Sequence, residues 1–163
     1  MLVVLGGLPG VGKTTIAREL AGVTGAVYLR VDSIEQALRH EGWNVQGEGY
    51  TVACAIAEDN LRLGQPVVAD CVNPWPLTRD EWKGVADRAG VRLINVEVVC
   101  SDVNEHKRRV ESRASDIAGH RLPTWIEVVE RDYRPWDGDW LVVDTARCDV
   151  RQAVGTILAV VEQ

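Results

Sequence analysis

Short unbroken apolar runs alternate along this chain with stretches in which apolar residues return every three or four positions. A run of four to eight apolar residues between turn signals reads as a buried strand, and the longer period as one face of a helix. The runs predict strands at 2–5, 26–31, 66–70, 91–100 and 140–144. Helical patterns are predicted at 12–21, 32–38, 50–63, 78–89, onward from 102, briefly from 124, and at 150–161. Asp32-Ser33, Ser101-Asp102 and Thr124 stand where N-caps belong, and Gly64 and Gly90 where helices stop. Residues 42–49 are glycine-rich and polar, and 115–123 lack either period, so both are predicted loops. Strands alternating with helices form βα units around a parallel sheet. The expected architecture is one α/β domain over 1–163, three layers deep, with a five-stranded parallel sheet.

Composition narrows the partners rather than the fold. At 163 residues, 46% hydrophobic and 26% charged, the chain has the balance of a globular domain with a core of its own. Its net charge of −6 disfavours nucleic acid, because that binding depends on basic side chains neutralising phosphates. Cys54, Cys71, Cys100 and Cys148 are far apart, and His40, His106 and His120 are equally scattered, so neither set has metal-ligand spacing. No stretch reaches the ~20 apolar residues of a membrane span. A cytoplasmic protein with reduced cysteines, monomeric or homodimeric, is expected.

The first apolar run leads straight into Gly7-Leu8-Pro9-Gly10-Val11-Gly12-Lys13-Thr14, the pattern G-x-x-x-x-G-K-[ST]. Its mechanics are specific. Glycines let the backbone curl so that successive N–H groups face a phosphate chain, and the following helix adds its positive end. Lys13 is then expected at the β- and γ-phosphates and the Thr14 hydroxyl on Mg²⁺, with Thr15 beside it. A structural turn without nucleotide is the alternative. The strand before the loop and the helix after it favour ATP with Mg²⁺.

Asp32, Asp70 and Asp144 end predicted strands, and in a parallel sheet those ends share the ligand-binding edge with the glycine loop. Phosphoryl transfer asks one carboxylate to hold Mg²⁺ and another to take the proton of the attacking hydroxyl. Asp70 closes the apolar run 66–69 and is assigned to the metal. Asp32 is assigned to the base, with a plain helix cap as the competing role, and Asp144 to orienting the last loop. Arg109 and Arg113 are four apart and so share a helix face before the segment 113–123, a candidate lid that also carries Arg121. Lys107 and Arg108 read as a solvated face pairing with Glu105 and Glu111. The turn containing Asn73, Trp75 and Arg79, stiffened by Pro74 and Pro76, together with Trp43, is the expected acceptor wall. Gap-filling is the alternative for each tryptophan.

The glycine loop, the Val31-Asp32-Ser33 turn, the Val67-Val68-Ala69-Asp70 strand, the Arg109/Arg113 pair and the last strand together resemble the small bacterial P-loop kinases grouped with chloramphenicol phosphotransferase and the zeta toxins. The turn 70–79 is similar to that of adenylylsulfate kinase, with Asn73-Pro74 in place of Ser-Pro. The resemblance implies a nucleotide-kinase-like fold, Asp32 as base, lid arginines on phosphates, and Arg147 with Ala146 near adenine. The expected activity is ATP-dependent phosphorylation of a hydroxyl on a small molecule. A polynucleotide or tRNA kinase, and an ATP-hydrolysing binding module, are the alternatives.

Overall fold

The computed structural model describes residues 1–162. Five strands, β1 (Leu2–Gly6), β2 (Val27–Arg30), β3 (Val67–Asp70), β4 (Leu93–Val99) and β5 (Leu141–Asp144), form one parallel sheet in the order β2-β3-β1-β4-β5. Seven helices join them: α1 (Lys13–Thr24), α2 (Val31–His40), α3 (Glu48–Arg62), α4 (Pro76–Ala89), α5 (Val103–Ser112), α6 (Trp125–Val129) and α7 (Val150–Val161). Among the described residues no helix is long and apolar enough to cross a membrane.

Alternation along β1 explains the three layers. Val3 and Leu5 face a core filled by Ile16 and Leu20 of α1 and Val154 and Ile157 of α7. Leu2 and Val4 face the opposite core, where Ala53, Ala57 and Leu61 of α3 meet Trp82 and Val85 of α4. Every residue of the central strand is buried, as a strand covered on both faces requires. Cys54, Cys71 and Cys100 are buried and unbridged, as small apolar side chains are, while Cys148 is half-buried.

The main difference from the predicted elements lies at the β2–α2 junction. The strand passes directly into the helix at Val31, so Asp32 stands in the first helical turn and neither Asp32 nor Ser33 caps it. Buried Val31 explains the early start, because its side chain closes the α3–α4 core. Similarly α4 opens at Pro76 rather than Thr78, since proline suits the first helical position and the Thr78 hydroxyl bonds back to the Trp75 carbonyl.

Arg79 also departs from expectation. It is buried, and its guanidinium donates to the carbonyls of Asn73, Pro74, Arg134 and Pro135 at 3.2, 3.2, 2.6 and 2.7 Å. It lies over the Trp136 ring at 4.7 Å and the Tyr133 ring at 5.8 Å. Arg79 is therefore a clamp between two loops, with four of its five N–H donors committed to backbone carbonyls. Arg79→Ala should cost about 3 kcal/mol in urea unfolding, because several carbonyls lose a charged donor together. An unchanged midpoint would show that the clamp is dispensable.

Candidate active site

Leaving β1, the chain curls at once. Gly7, Gly10 and Gly12 hold φ of 139°, 88° and 102°. A Cβ on Gly7 would lie 2.2 Å from the Val98 carbonyl oxygen, and one on Gly10 2.5 Å from Val110 Cγ2. Only glycine lets the loop fit between β4 and α5. The first turn of α1 has no side-chain cap, so its N–H donors remain for an anion. His106 fixes the outer side of the loop, its Nε2 2.8 Å from the Pro9 carbonyl and its ring edge-on to Trp125.

Lys13 is buried at the base of the loop and donates to the Leu8 carbonyl at 3.0 Å. Burial pulls its pKa below the ordinary lysine value, against the opposing charges of Asp70 and Asp32. A desolvated ammonium with no carboxylate within ion-pair distance among the described residues is prepared for an incoming anion.

The parallel register sets Asp70 beside Leu5, just before the glycine loop. Its Oδ2 accepts from the Thr14 hydroxyl at 2.7 Å and the Tyr28 hydroxyl at 2.9 Å, with Arg30 Nε 3.9 Å away. Burial, reinforced by Asp70, holds the Tyr28 pKa above the ordinary value, so this hydroxyl stays a donor. Thr14 and Asp70 thus form a hydroxyl–carboxylate pair, two oxygen donors of the type hard divalent cations take. No cluster of three His, Cys, Asp or Glu among the described residues offers a self-sufficient cage.

Asp32 makes no hydrogen bond or ion pair among the described residues and lines the same cavity. It acts at longer range on Lys13 and on Arg113. Arg113, the residue ending α5, is half-buried, and its Nε is buried without a partner. Burial lowers its pKa, with Asp32 opposing. Arg109 is engaged differently, donating to Glu105 at 2.8 Å and to the Thr145 hydroxyl at 2.8 Å, while that hydroxyl is 2.7 Å from the Val11 carbonyl.

The segment 113–123 lies across this edge. Asp116 binds Arg18 at 2.5 Å and Arg30 at 2.9 Å, and Arg121 binds Glu127 at 2.7 Å. Burial of Asp116 works against its ionisation, but hydrogen bonds from Arg30 and Arg18 prevail and hold its pKa at about 2. Beneath the segment is a cavity of about 1110 Å³, just above the usual range of ligand-site volumes. Eight cationic side chains line it against six carboxylates, in a chain whose net charge is −6.

A family model for the AAA domain matches residues 2–130, most of the chain and all of the loop, β3 and α5. The chain belongs to the AAA domain family. No curated protein matches this AAA domain protein in sequence. Solved structures share its fold. A gluconokinase from Sinorhizobium meliloti 1021 is 21% identical, with 98% of this chain and 93% of that one covered and a TM-score of 0.67. The Mycobacterium tuberculosis APS kinase CysC, in complex with AMPPNP and APS, is 14% identical over 99% and 97%, with a TM-score of 0.71. Chaetomium thermophilum Kti12, in complex with ADP-AlF3, is 21% identical over 98% and 98%, with a TM-score of 0.65. All have the three-layer P-loop kinase fold, and two were solved with nucleotide analogues.

In this AAA domain protein Pro9, Gly10, Gly12, Lys13, Thr14, Thr15, Asp32, Asp70, Trp75, Arg109 and Arg113 all line the one cavity. Gly7 and Val11 are buried beneath the loop, and Leu8 contributes the carbonyl that holds Lys13. Outside the glycine loop, four expected residues do not reach the cavity. Trp43 is 61% exposed on the loop after α2, and Arg147 turns to solvent and pairs with Asp144 at 3.2 Å. Asn73 is fully buried at φ 52°, its side-chain amide unpartnered and its N–H donating to the Tyr50 hydroxyl at 2.8 Å. Arg79 is the clamp already described. Sequence reasoning missed Arg18, Arg30, Gln36, Tyr50, Asp116 and Arg131, which line the cavity. Arg18 alone had a signal: it follows Thr14 by one helical turn.

Proposed function

We propose that this protein is an ATP-dependent kinase that transfers the γ-phosphate to a hydroxyl of a small molecule. The observation that carries the reading is the carboxylate of Asp32, free among the described residues, in the cavity of Lys13 and Arg113, two cations that have no carboxylate partner among those residues. An alcohol nucleophile needs an acceptor for its proton, and Asp32 is a carboxylate left unengaged to take it.

In this reading the glycine loop and Lys13 hold the β- and γ-phosphates, and Thr14 with Asp70 holds Mg²⁺. The metal, when bound, neutralises charge on the phosphate oxygens. Asp32 takes the proton of the acceptor hydroxyl as its oxygen bonds to the γ-phosphorus. The bond from that phosphorus to the bridging oxygen breaks, and ADP leaves with the electron pair. Arg113 stabilises the charge spread over the transferring oxygens. The segment 113–123 excludes water, which keeps transfer ahead of hydrolysis. The net positive cavity in an acidic chain further supports a small polyanionic ligand over a nucleic acid.

ATP consumption measured against a library of small alcohols, with and without Mg²⁺, tests the reading. Large stimulation by individual alcohols, with a phosphomonoester as product, is expected. Stimulation by RNA or protein alone would replace the proposal with one of the two alternatives.

A further inference from the structure

Resting on the kinase reading, we infer that the acceptor is a polyhydroxylated compound with an anionic group, and that Arg131 receives that group. The evidence begins with charge pairing around the cavity. Arg18 and Arg30 share Asp116, while Arg39, Arg109 and Arg121 pair with Glu35, Glu105 and Glu127. Among the described residues that line the cavity, only Lys13, Arg113 and Arg131 are cations without a carboxylate partner. Lys13 and Arg113 belong with the phosphates. Arg131 follows α6 and has no phosphate role to fill.

The loop bearing Arg131 is fixed against the acceptor side by its neighbours. The Arg134 N–H donates to the Pro74 carbonyl at 2.8 Å, and the Trp75 indole N–H to Asp132 at 3.0 Å. The Arg79 clamp ties the carbonyls of Arg134 and Pro135 to the same turn. Pro74 and Trp75 also line the cavity, so Arg131 is held at its wall with few of the conformations a free surface loop would sample. The arginine taken from sequence as an acceptor contact is thus the support, and an unremarked one is presented.

Hydroxyl-binding groups occupy the rest of this side. Asp32, Glu35, Gln36 and Arg39 lie at helical spacing along α2 and all line the cavity. Tyr50 adds a donor: its oxygen already accepts from the Asn73 N–H, so its own proton is free for a ligand oxygen. Burial holds the Tyr50 pKa above the ordinary value and keeps that proton in place. Carboxylates, an amide and a phenol suit several hydroxyls at once, and the Trp75 ring can cover a C–H face. A guanidinium carried on that tied loop and lining the same cavity suits a carboxylate or phosphate.

Paired probes test this: gluconate against glucitol, ribose 5-phosphate against ribose, and cyclohexanol as a neutral apolar ring, in the ATP-consumption assay. The anionic member of one pair should be favoured at least tenfold in kcat/KM, and which pair responds tells carboxylate from phosphate. Arg131→Ala should then raise KM for that member about tenfold to hundredfold, the worth of one charge-assisted contact, with kcat and the KM for ATP little changed. Arg131→Lys should restore part of the loss. Equal use of neutral and anionic members, preference for cyclohexanol, or an unchanged KM in Arg131→Ala overturns the inference. If every probe fails while a neutral alcohol is active in the wider library, the inference falls and the kinase reading stands. If no alcohol is active in either assay, both fall.

Discussion

Arg113→Ala should lower turnover by about 10³-fold or more while leaving the fold intact or slightly firmer. The first half follows from phosphoryl transfer, in which an inserted arginine is worth on the order of 10³–10⁵ in rate. The second follows from the position of Arg113. Its Nε is buried without a partner and burial lowers its pKa, so the folded protein disfavours the charge it carries. A side chain kept only to support the structure would be expected to have partners, and removing it would cost stability. Removing the Arg113 side chain takes away no hydrogen bond among the described residues and relieves desolvation. Turnover and thermal midpoint measured on one preparation separate the two roles. Near-normal turnover, or a midpoint lower by many degrees, would contradict the assignment. Arg113→Lys should recover only part of the rate, because a point charge does not reproduce the guanidinium fork.

How much of this was legible beforehand depended on whether the deciding contacts were local. Helix α7 spans the predicted 150–161 because its signals are contiguous: Asp149 and Gln152 form a capping box ahead of an amphipathic run. The glycine loop was equally legible, since neighbouring residues make it and the strand before it is uniformly apolar. Asp32 was located but its setting was not, because the strand-to-helix junction is decided by Val31 entering a core built from α3 and α4. Arg79 shows the opposite limit. Its charge is visible in the sequence, but the four carbonyls that consume it come from 73–74 and 134–135. The Arg18–Asp116 pair joins residues 98 apart, and no local pattern foretells it. Trp43 and Trp75 show why residue type alone is a weak guide: both sit in turns, and only Trp75 lines the cavity.

The other large effect is expected at Asp32. Asp32→Asn should cut phosphoryl transfer by about 10²–10⁴-fold with ATP affinity near normal. Asparagine keeps the size of the side chain and can still hydrogen-bond an acceptor hydroxyl, but it cannot take the proton away. The structural cost should be small. Among the described residues Asp32 caps nothing and its carboxylate accepts no hydrogen bond, so the loss is confined to a carboxylate near the positive end of α2, worth about 0.3–1 kcal/mol. Longer-range effects on Lys13 and Arg113 run the other way for ATP, since removing a neighbouring negative charge leaves both cations freer to hold phosphates. The signature is therefore a divergence: kcat falls steeply, the KM for ATP stays level or drops, and the acceptor KM moves by only a few-fold. A carboxylate that merely positioned the acceptor would raise its KM and spare kcat. Wild-type turnover in Asp32→Asn would take the base away from Asp32 and pass the role to another carboxylate of the cavity, with Asp70 the first to replace.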